Sequence, residues 1–456
     1  MSFSTVILAA GQGKRMHSSL PKVLHRLADK PLLEHIIRTA NSLSENQQTV
    51  IIYGHQGEEV KHALNHLTAD WVEQTQQLGT GHALLQGLPT FQNTPRVLVL
   101  PGDVPLISAA TLKAFIAATP SNAVGLLIAI VPDPTGFGRI LRDAAGHIQG
   151  IIEEKDASPE QRLIQEINTG IYLIPTAQLT LWLPQLKNAN AQREYYLTDI
   201  ISLAASTKTP IYGQCVTQHQ EVLGVNDKQQ LATVERYYQL QAAERLMQQG
   251  VTLRDPARFD LRGELIVGRD TEIDINVIIE GFVRIGSHCH IGANSILRNV
   301  VIGDHTEIKP NSIIDGAEIG EHCHIGPFAR LRPGVVVAAN AHIGNFIEIK
   351  NTFVGANTKI HHLGYIGDSD IGANVNIGAG TITCNYDGAN KYRTTIGDGA
   401  FIGSSSQLVA PVKIGEGAFI GAGSTITRDA PAHQLTLGRT KQCTIENWKR
   451  SVKKGI

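Results

Sequence analysis

The sequence predicts a two-domain chain: an α/β doubly wound domain over residues 1–228, a linker helix over 229–249, and a parallel β-helix of six-residue repeats over 250–456. Three observations carry that reading. Apolar runs of strand length alternate with helical stretches through the first half. An amphipathic run follows and is closed by Gly250. From Val267 onward an aliphatic residue recurs every six positions, a period that fits neither the 3.6 of a helix nor the two of an ordinary strand.

Each element follows from its residues. Ser4–Ala10 is an apolar run of buried-strand type, and Gly11-Gln12-Gly13-Lys14-Arg15-Met16 follows at once. Further runs at Thr49–Tyr53, Arg96–Leu100, Ala123–Val131 and Gly170–Ile174 alternate with helical stretches such as Leu32–Ser42, which argues for a parallel sheet with helices on both faces. A ligand then belongs at the carboxyl ends of the strands, where the glycine loop lies. That loop is not the dinucleotide fingerprint, because Met16 stands where G-x-G-x-x-G needs its third glycine. Nor is it a P-loop, because Arg15 follows Gly13-Lys14. What remains is a short turn exposing backbone N–H groups beside Lys14, Arg15 and Lys22, a set able to cradle a polyphosphate. By itself, a G-x-G after a strand marks only a tight turn.

Gln229–Gln249 carries Leu231, Val234, Tyr238, Ala242 and Leu246 at helical spacing, an amphipathic helix that would span ~30 Å. The repeat then runs from Val267 to Ile426 in sixes, with fives at 297→302, 314→319, 349→354 and 366→371. Such a period suits coils of three short strands, the aliphatic residue pointing inward and the following glycine or small residue easing the corner. Coils starting at 267, 285, 302, 319, 337, 354, 371, 396 and 414 are 17 or 18 residues apart except for 25 between 371 and 396. That excess marks an excursion around Cys384–Arg393, and solenoid insertions often carry function. Glycine follows the same division, with 17 of the 44 in residues 1–250 and 27 in residues 251–456. Periodicity alone leaves open whether this domain catalyses or only oligomerises the enzyme it belongs to.

Composition removes several classes of function. Forty basic against 41 acidic residues give a formal net charge of −1, which argues against a nucleic-acid or anionic-membrane partner. No apolar run reaches the ~18 residues of a membrane span, and the start lacks the basic segment of a signal peptide. Five scattered cysteines, an odd number, read as free thiols of a reducing cytoplasm. His288-Cys289-His290 and His322-Cys323-His324 invite a zinc reading, but neighbours in a strand point to opposite faces, so these read as outward His and inward Cys. Cys384 reads as structural.

The motifs acquire meaning in combination. Leu8-Ala9-Ala10-Gly11-x-Gly13-x-Arg15-Met16 with Leu20-Pro21-Lys22 resembles the signature of sugar-phosphate nucleotidylyltransferases. Gln77-Leu78-Gly79-Thr80-Gly81, Gly102-Asp103-Val104-Pro105, Gly136-Phe137-Gly138-Arg139, Glu153-Glu154-Lys155, Asn168-Thr169-Gly170 and Gly224-Val225-Asn226 follow in the order of that family. The six-residue period resembles the hexapeptide-repeat acyltransferases, which implies a left-handed parallel β-helix and a homotrimer. Together the whole chain resembles the bifunctional N-acetylglucosamine-1-phosphate uridylyltransferase / glucosamine-1-phosphate N-acetyltransferase family. It departs at Lys14, where the family commonly has Thr, and at Pro101, where it commonly has Tyr.

The resemblance implies two sites. In the first, a Rossmann-like nucleotidyltransferase domain, UTP and N-acetylglucosamine 1-phosphate react with Mg²⁺ held by Asp103 and Asn226. Asp103, closing the Val97–Leu100 strand, is also open to a capping role. Arg15 and Lys22 are assigned to phosphates, Arg15 at the transferring centre, while Lys14 is open to either phosphate or solvent. Leu8, Ala9, Ala10, Gly11, Gln74, Gln77, Gly79 and Thr80 are expected around uracil, with Gly102 beside Asp103. Gly138, Glu153 (rather than Glu154), Asn168 and Asn226 are expected at the sugar. In the second site His362 is the general base, with Arg332, Lys350, Tyr365, Asn376 and Lys391 binding glucosamine 1-phosphate and Glu348 in support. Arg332 and Lys350, 18 residues apart, stack one coil over the other as a clamp for the phosphate. Acetyl-CoA is expected along Ala379, Asn385, Tyr386, Ser404, Ala422 and Arg439, in a groove between subunits. The basic tail Trp448-Lys449-Arg450 with Lys453-Lys454 is open to covering that groove or to solvation. The alternative is a single-activity nucleotidylyltransferase whose β-helix is a trimerising scaffold. His362, Arg332 and Lys350 together speak against it. A non-catalytic sensor conflicts with Asp103, Arg15 and Lys22 all being present.

Overall fold

The computed structural model describes residues 2–54 and 56–451; Lys453 and Lys454 of the basic tail lie outside them. The chain divides into two compact units, Met1–Tyr238 and Gln239–Ile456, the division falling inside the long helix Lys228–Gln248.

The first unit is built on one sheet. Its main path runs Ile211–Cys215, Val124–Ile130, Glu166–Pro175, Arg96–Pro101, Phe3–Ala9, Asn46–Tyr53, Asp70–Glu73. Phe3–Ala9 lies parallel between Arg96–Pro101 and Asn46–Tyr53, with Val6 opposite both Val99 and Val50. Alternation sends Ile7, Leu98 and Leu100 to one face and Val6, Val97 and Val99 to the other, all of them fully buried. Helices Leu32–Asn41 and Ala109–Ala118 cover the first face with Leu33, Ile36, Ile37, Leu112 and Phe115. Helices Thr80–Phe91 and Asp199–Ser206 cover the second with Leu84, Phe91, Ile200 and Ile201. Burial on both faces is why these strands read as unbroken apolar runs. Each such side chain contributes roughly 1.5–3 kcal/mol.

One expectation is corrected. Glu166–Pro175, which contains the Gly170–Ile174 run, is antiparallel to both neighbours, so the sheet is mixed rather than parallel. The chain reaches it through the Arg139–Arg142/Ile148–Ile152 hairpin and the one-turn helix Pro159–Arg162 instead of a long helix laid across the sheet. Apolar patterning identifies a strand but carries no record of its direction.

In the second unit the six-residue period becomes three ladders of parallel pairs. Ile285, Ile302, Ile319, Val337, Val354, Ile371, Ile396 and Ile414 stack in register along one; Ile273, Ile291, Ile308, Ile325, Ile343, Ile360, Ile377, Ile402 and Ile420 along the second. The third runs Leu261, Ile279, Leu297, Ile314, Leu331, Ile349, Ile366, and the inward position between Ile377 and Ile396 is filled by Thr383, buried opposite Leu408. These aliphatic side chains form a continuous core of a three-sided prism. The corners are made differently from the expectation. Many fall to non-glycine residues in the left-handed region, among them Asn276, Asn294, Asn311, Asn340, Asn357 and Asn374, the residue type that tolerates it best. The glycines directly after inward aliphatics serve close stacking instead. A Cβ on Gly286 would lie 2.7 Å from the Asp304 nitrogen and one on Gly303 2.6 Å from the Glu321 nitrogen, each in the next coil.

Candidate active sites

The first site opens at the carboxyl ends of Phe3–Ala9 and Arg96–Pro101, where the strand order reverses and an open α/β sheet leaves a crevice. A cavity of about 700 Å³ lies there. Of the expected residues it is lined by Leu8, Ala9, Ala10, Gly11, Lys22, Gln74, Gln77, Gly79, Thr80, Gly102, Asp103, Glu153 and Asn168. Both departures from the family pattern, Lys14 and Pro101, line it too. Two glycines make this geometry possible. Gly13 has φ +61°, and a Cβ on it would stand 2.6 Å from the Lys22 Cβ, so the loop closes on Lys22 only as glycine. Gly102 donates to the Leu8 carbonyl at 2.8 Å and thereby sets Asp103 beside the loop.

Lys22 Nζ lies 2.5 Å from Asp103 Oδ2 and 3.1 Å from Asn226 Oδ1. The Asn226 segment is tied in place by Val225 N–H donating to the Asp103 carbonyl at 2.9 Å. Two hard oxygens from distant parts of the chain thus converge on one position that a cation fills. Asn226 and Gly138 do not line the cavity itself. Gly138 backs Asn168, accepting from its N–H at 2.9 Å. Arg15 is exposed on the Lys14–Met16 turn, outside the cavity lining.

On the opposite wall Glu153 accepts from Thr198 Oγ1 at 3.1 Å. Burial pushes its carboxyl above the usual range; the Thr198 bond pulls the other way, and Asp156, Asp199 and Glu194 add to the rise. Glu154 turns instead to the buried Arg139, 2.6 Å away. Asn168 Nδ2 donates to Tyr172 Oη at 2.9 Å, and burial raises the Tyr172 hydroxyl. Tyr172, Leu197, Thr198 and Glu194 line the cavity and were missed by the motifs. Alternation carried a signal for one: Asn168, Gly170 and Tyr172, two apart along a strand, all face the cavity. Thr198 carried none.

The second set of residues lies along the prism. A column of outward charges alternates down one edge: Arg262 with Glu280 at 3.4 Å, Glu280 with Arg298 at 2.8 Å, Arg298 with Asp315 at 3.4 Å. The alternation then breaks, because Arg332 and Lys350 follow in successive coils as two cations. Arg332 Nη1 is held by Glu348 at 2.9 Å. The excursion after Cys384 is a tight hairpin that returns Lys391 to this place, through a bridge between Tyr386 and Lys391. Lys350 beside it pushes the Lys391 ammonium below its usual value, against the pull of Asp368 and Tyr365. Asp368, buried at a left-handed corner, accepts from Asn351 and Asn385; burial pushes its carboxyl up, but these amides with Lys350 and Lys391 outweigh it and hold it low. Asn351, Asp368 and Asn385 are each 17 apart, one coil to the next.

Four of the expected acetyl-donor residues, Ala379, Ser404, Ala422 and Arg439, share a different edge with His362. His362, Ala379, Ser404 and Ala422 each stand two places after the inward residues Ile360, Ile377, Ile402 and Ile420, so they line up over four consecutive coils. Arg439 Nη1 donates to the Ala422 carbonyl at 2.7 Å at the end of that row. His362 borders a hollow of about 230 Å³ with His324, His342 and His361. One chain does not gather the whole set. Tyr365 lies on the Ile366 face beside Glu348, whereas Asn376 lies on the Ile377 face beside Lys359. Asn385 is buried against Asp368, while Tyr386 is exposed on the hairpin.

The fold and the first crevice define the class: a nucleotidyltransferase-type α/β domain joined to a hexapeptide β-helix. Three family models match, the MobA-like NTP transferase domain over residues 5–166, the GMPPB C-terminal domain over 261–333 and the bacterial transferase hexapeptide (six repeats) over 393–428. The chain is 53% identical to the bifunctional protein GlmU of Methylococcus capsulatus over 99% of this chain and 98% of that one. Its identity to the GlmU of Cupriavidus pinatubonensis is 54% (98% and 99% covered), and to that of Stutzerimonas stutzeri 52% (100% of both). The chain belongs to the bifunctional GlmU family, the uridylyltransferase–acetyltransferase family its motifs resemble, and its hexapeptide domain is a left-handed parallel β-helix.

Proposed function

We propose that this chain makes UDP-N-acetylglucosamine in two steps: residues 250–456 acetylate glucosamine 1-phosphate from acetyl-CoA, and residues 1–228 then join the product to UTP with release of pyrophosphate, residues 229–249 being the linker helix. The product feeds peptidoglycan and lipopolysaccharide synthesis, and the reaction belongs to the cytoplasm. No described helix is long and apolar enough to cross a membrane.

The observation that carries the first half is the convergence of Asp103 and Asn226 on the Lys22 ammonium beside the glycine loop. Mg²⁺ takes few protein oxygens, and this carboxylate–carboxamide pair suits it. Bound there, it would neutralise charge on the reacting phosphates. Lys22 and the N–H groups of the Gly11–Gly13 turn bind the triphosphate, and Arg15 reaches it from the rim. Glu153 and Asn168 accept and donate to the sugar and its acetamido group. The sugar phosphate oxygen attacks the α-phosphorus and pyrophosphate leaves.

For the second half, the row His362–Ala379–Ser404–Ala422 supports a thioester laid along one prism edge with its carbonyl at His362. The histidine takes a proton from the sugar amine, the amine nitrogen attacks the carbonyl, and the thiol leaves with the proton. Arg332, Lys350 and Lys391 hold the phosphate, an excess of cations where the charge column ceases to alternate. The separation of Asn376 from Tyr365 onto different faces supports a homotrimer in which neighbouring copies complete each site.

Glucosamine 1-phosphate, acetyl-CoA, UTP and Mg²⁺ supplied together should yield UDP-N-acetylglucosamine by mass spectrometry. Asp103→Ala should abolish only uridylyl transfer and His362→Ala only acetyl transfer. Absence of acetylation by the unmodified protein would leave the β-helix as a scaffold.

A further inference from the structure

His362 can act as a base through one ring nitrogen only if the other is occupied by its proton. The partner that decides this lies one coil earlier. His362 Nδ1 is 2.7 Å from Asn345 Oδ1. The two residues are register partners in adjacent parallel strands, each immediately before a left-handed corner residue, Phe346 and Leu363. The approach is unusually close by construction: a Cβ on Gly344 would lie 1.8 Å from the His361 carbonyl oxygen, so only glycine lets these strands meet here. Asn345 is partly buried while the His362 ring reaches outward.

We propose that Asn345 is a positioning residue for acetyl transfer, fixing the tautomer and aim of His362; this rests on His362 being the base. A carboxamide oxygen accepts only, so the contact requires the hydrogen on Nδ1 and leaves the lone pair on Nε2. The choice of an amide over a carboxylate has a chemical consequence. A carboxylate here would favour the imidazolium and keep the base protonated to higher pH. The surroundings already carry positive or protonatable groups: His361 and Lys359 on the same strand, His342 one coil away, and His324 and Lys309 further along. Glu307 is the acid among them and is taken by His324 at 2.9 Å. A neutral acceptor thus orients the ring and brings no further charge to it.

The test uses the full-length protein and the pH dependence of acetyl transfer. Asn345→Ala should lower kcat about 10- to 100-fold at every pH with little change in either KM. Asn345→Asp restores an acceptor, so it should recover most of kcat on the alkaline side while its acidic limb moves up by about one pH unit or more. A structural role alone would lower both variants alike and leave the limb in place. Uridylyl transfer and the thermal melt of each variant report folding. If His362→Ala is inactive while Asn345→Ala stays within twofold of the unmodified protein, or if the Asn345→Asp limb does not move, this inference is overturned alone. If His362→Ala retains acetyl transfer, the reading of the base fails and takes this inference with it.

Discussion

Gly13→Ala isolates the geometry on which the first site depends. At φ +61°, ψ 29° an alanine costs roughly 1–2 kcal/mol over glycine. The new Cβ would also stand 2.6 Å from the Lys22 Cβ, about 1 Å inside ordinary carbon contact. Relief means moving Lys22 by a distance of that order. Its ammonium, now 2.5 Å from Asp103 and 3.1 Å from Asn226, would lose the second contact outright. A 1 Å misplacement of this kind costs on the order of 100-fold in rate. Uridylyl kcat should fall by about that factor, the melting temperature of the first unit should drop by about 2–4 °C per kcal/mol, and acetyl transfer should be unchanged. Gly13→Asn separates the causes, since asparagine tolerates the left-handed backbone but keeps the Cβ. It should recover the backbone share of the lost stability without recovering rate. Coupled uridylyl and acetyl assays with calorimetry on the same preparations decide it, and a Gly13→Ala protein with uridylyl kcat within threefold of the original would refute the reasoning.

Two further outcomes follow from the two walls of the same cavity. Lys22→Met removes the ammonium from between Asp103 and Asn226, so Mn²⁺ titrated without nucleotide and followed by electron paramagnetic resonance should bind several-fold tighter than to the unmodified protein, even as uridylyl transfer is lost; weaker or equal binding would contradict the shared position. Glu153 is raised by burial, so the folded state holds its proton more strongly than the unfolded state, and stability is lost as pH rises through the unfolded value near 4.3 toward the folded one. Glu153→Gln should therefore raise the melting temperature at pH 7–8 while weakening sugar-phosphate binding, and the gain should vanish below about pH 4. A gain of equal size at pH 3.5 would assign it to packing.

Much of this was open to reading from residues in order. The inward ladders and the excursion after Cys384 came from local spacing, because a coil that repeats must repeat its side chains, whereas the glycine loop was identified only by the resemblance of its motif in combination with the later ones. The same spacing also held Asn351, Asp368 and Asn385, and Asn345 with His362, each 17 apart. Arg15 shows the converse: its motif is plain, yet it sits exposed on the turn while Lys14 lines the cavity. A side chain's direction on a single-turn helix has no periodic signature.

The sequence by itself determined the two architectures and the helix between them, since strand, coil and loop patterns are set by neighbours a few positions away. Tertiary structure alone decided that Glu166–Pro175 runs antiparallel, that Tyr172 and Thr198 line the cavity with Glu153 and Asn168, and that Lys22 meets Asp103 and Asn226 across 81 and 204 residues. Such meetings depend on where the chain crosses the sheet and which buried groups must find partners there, and neither leaves a mark in local pattern.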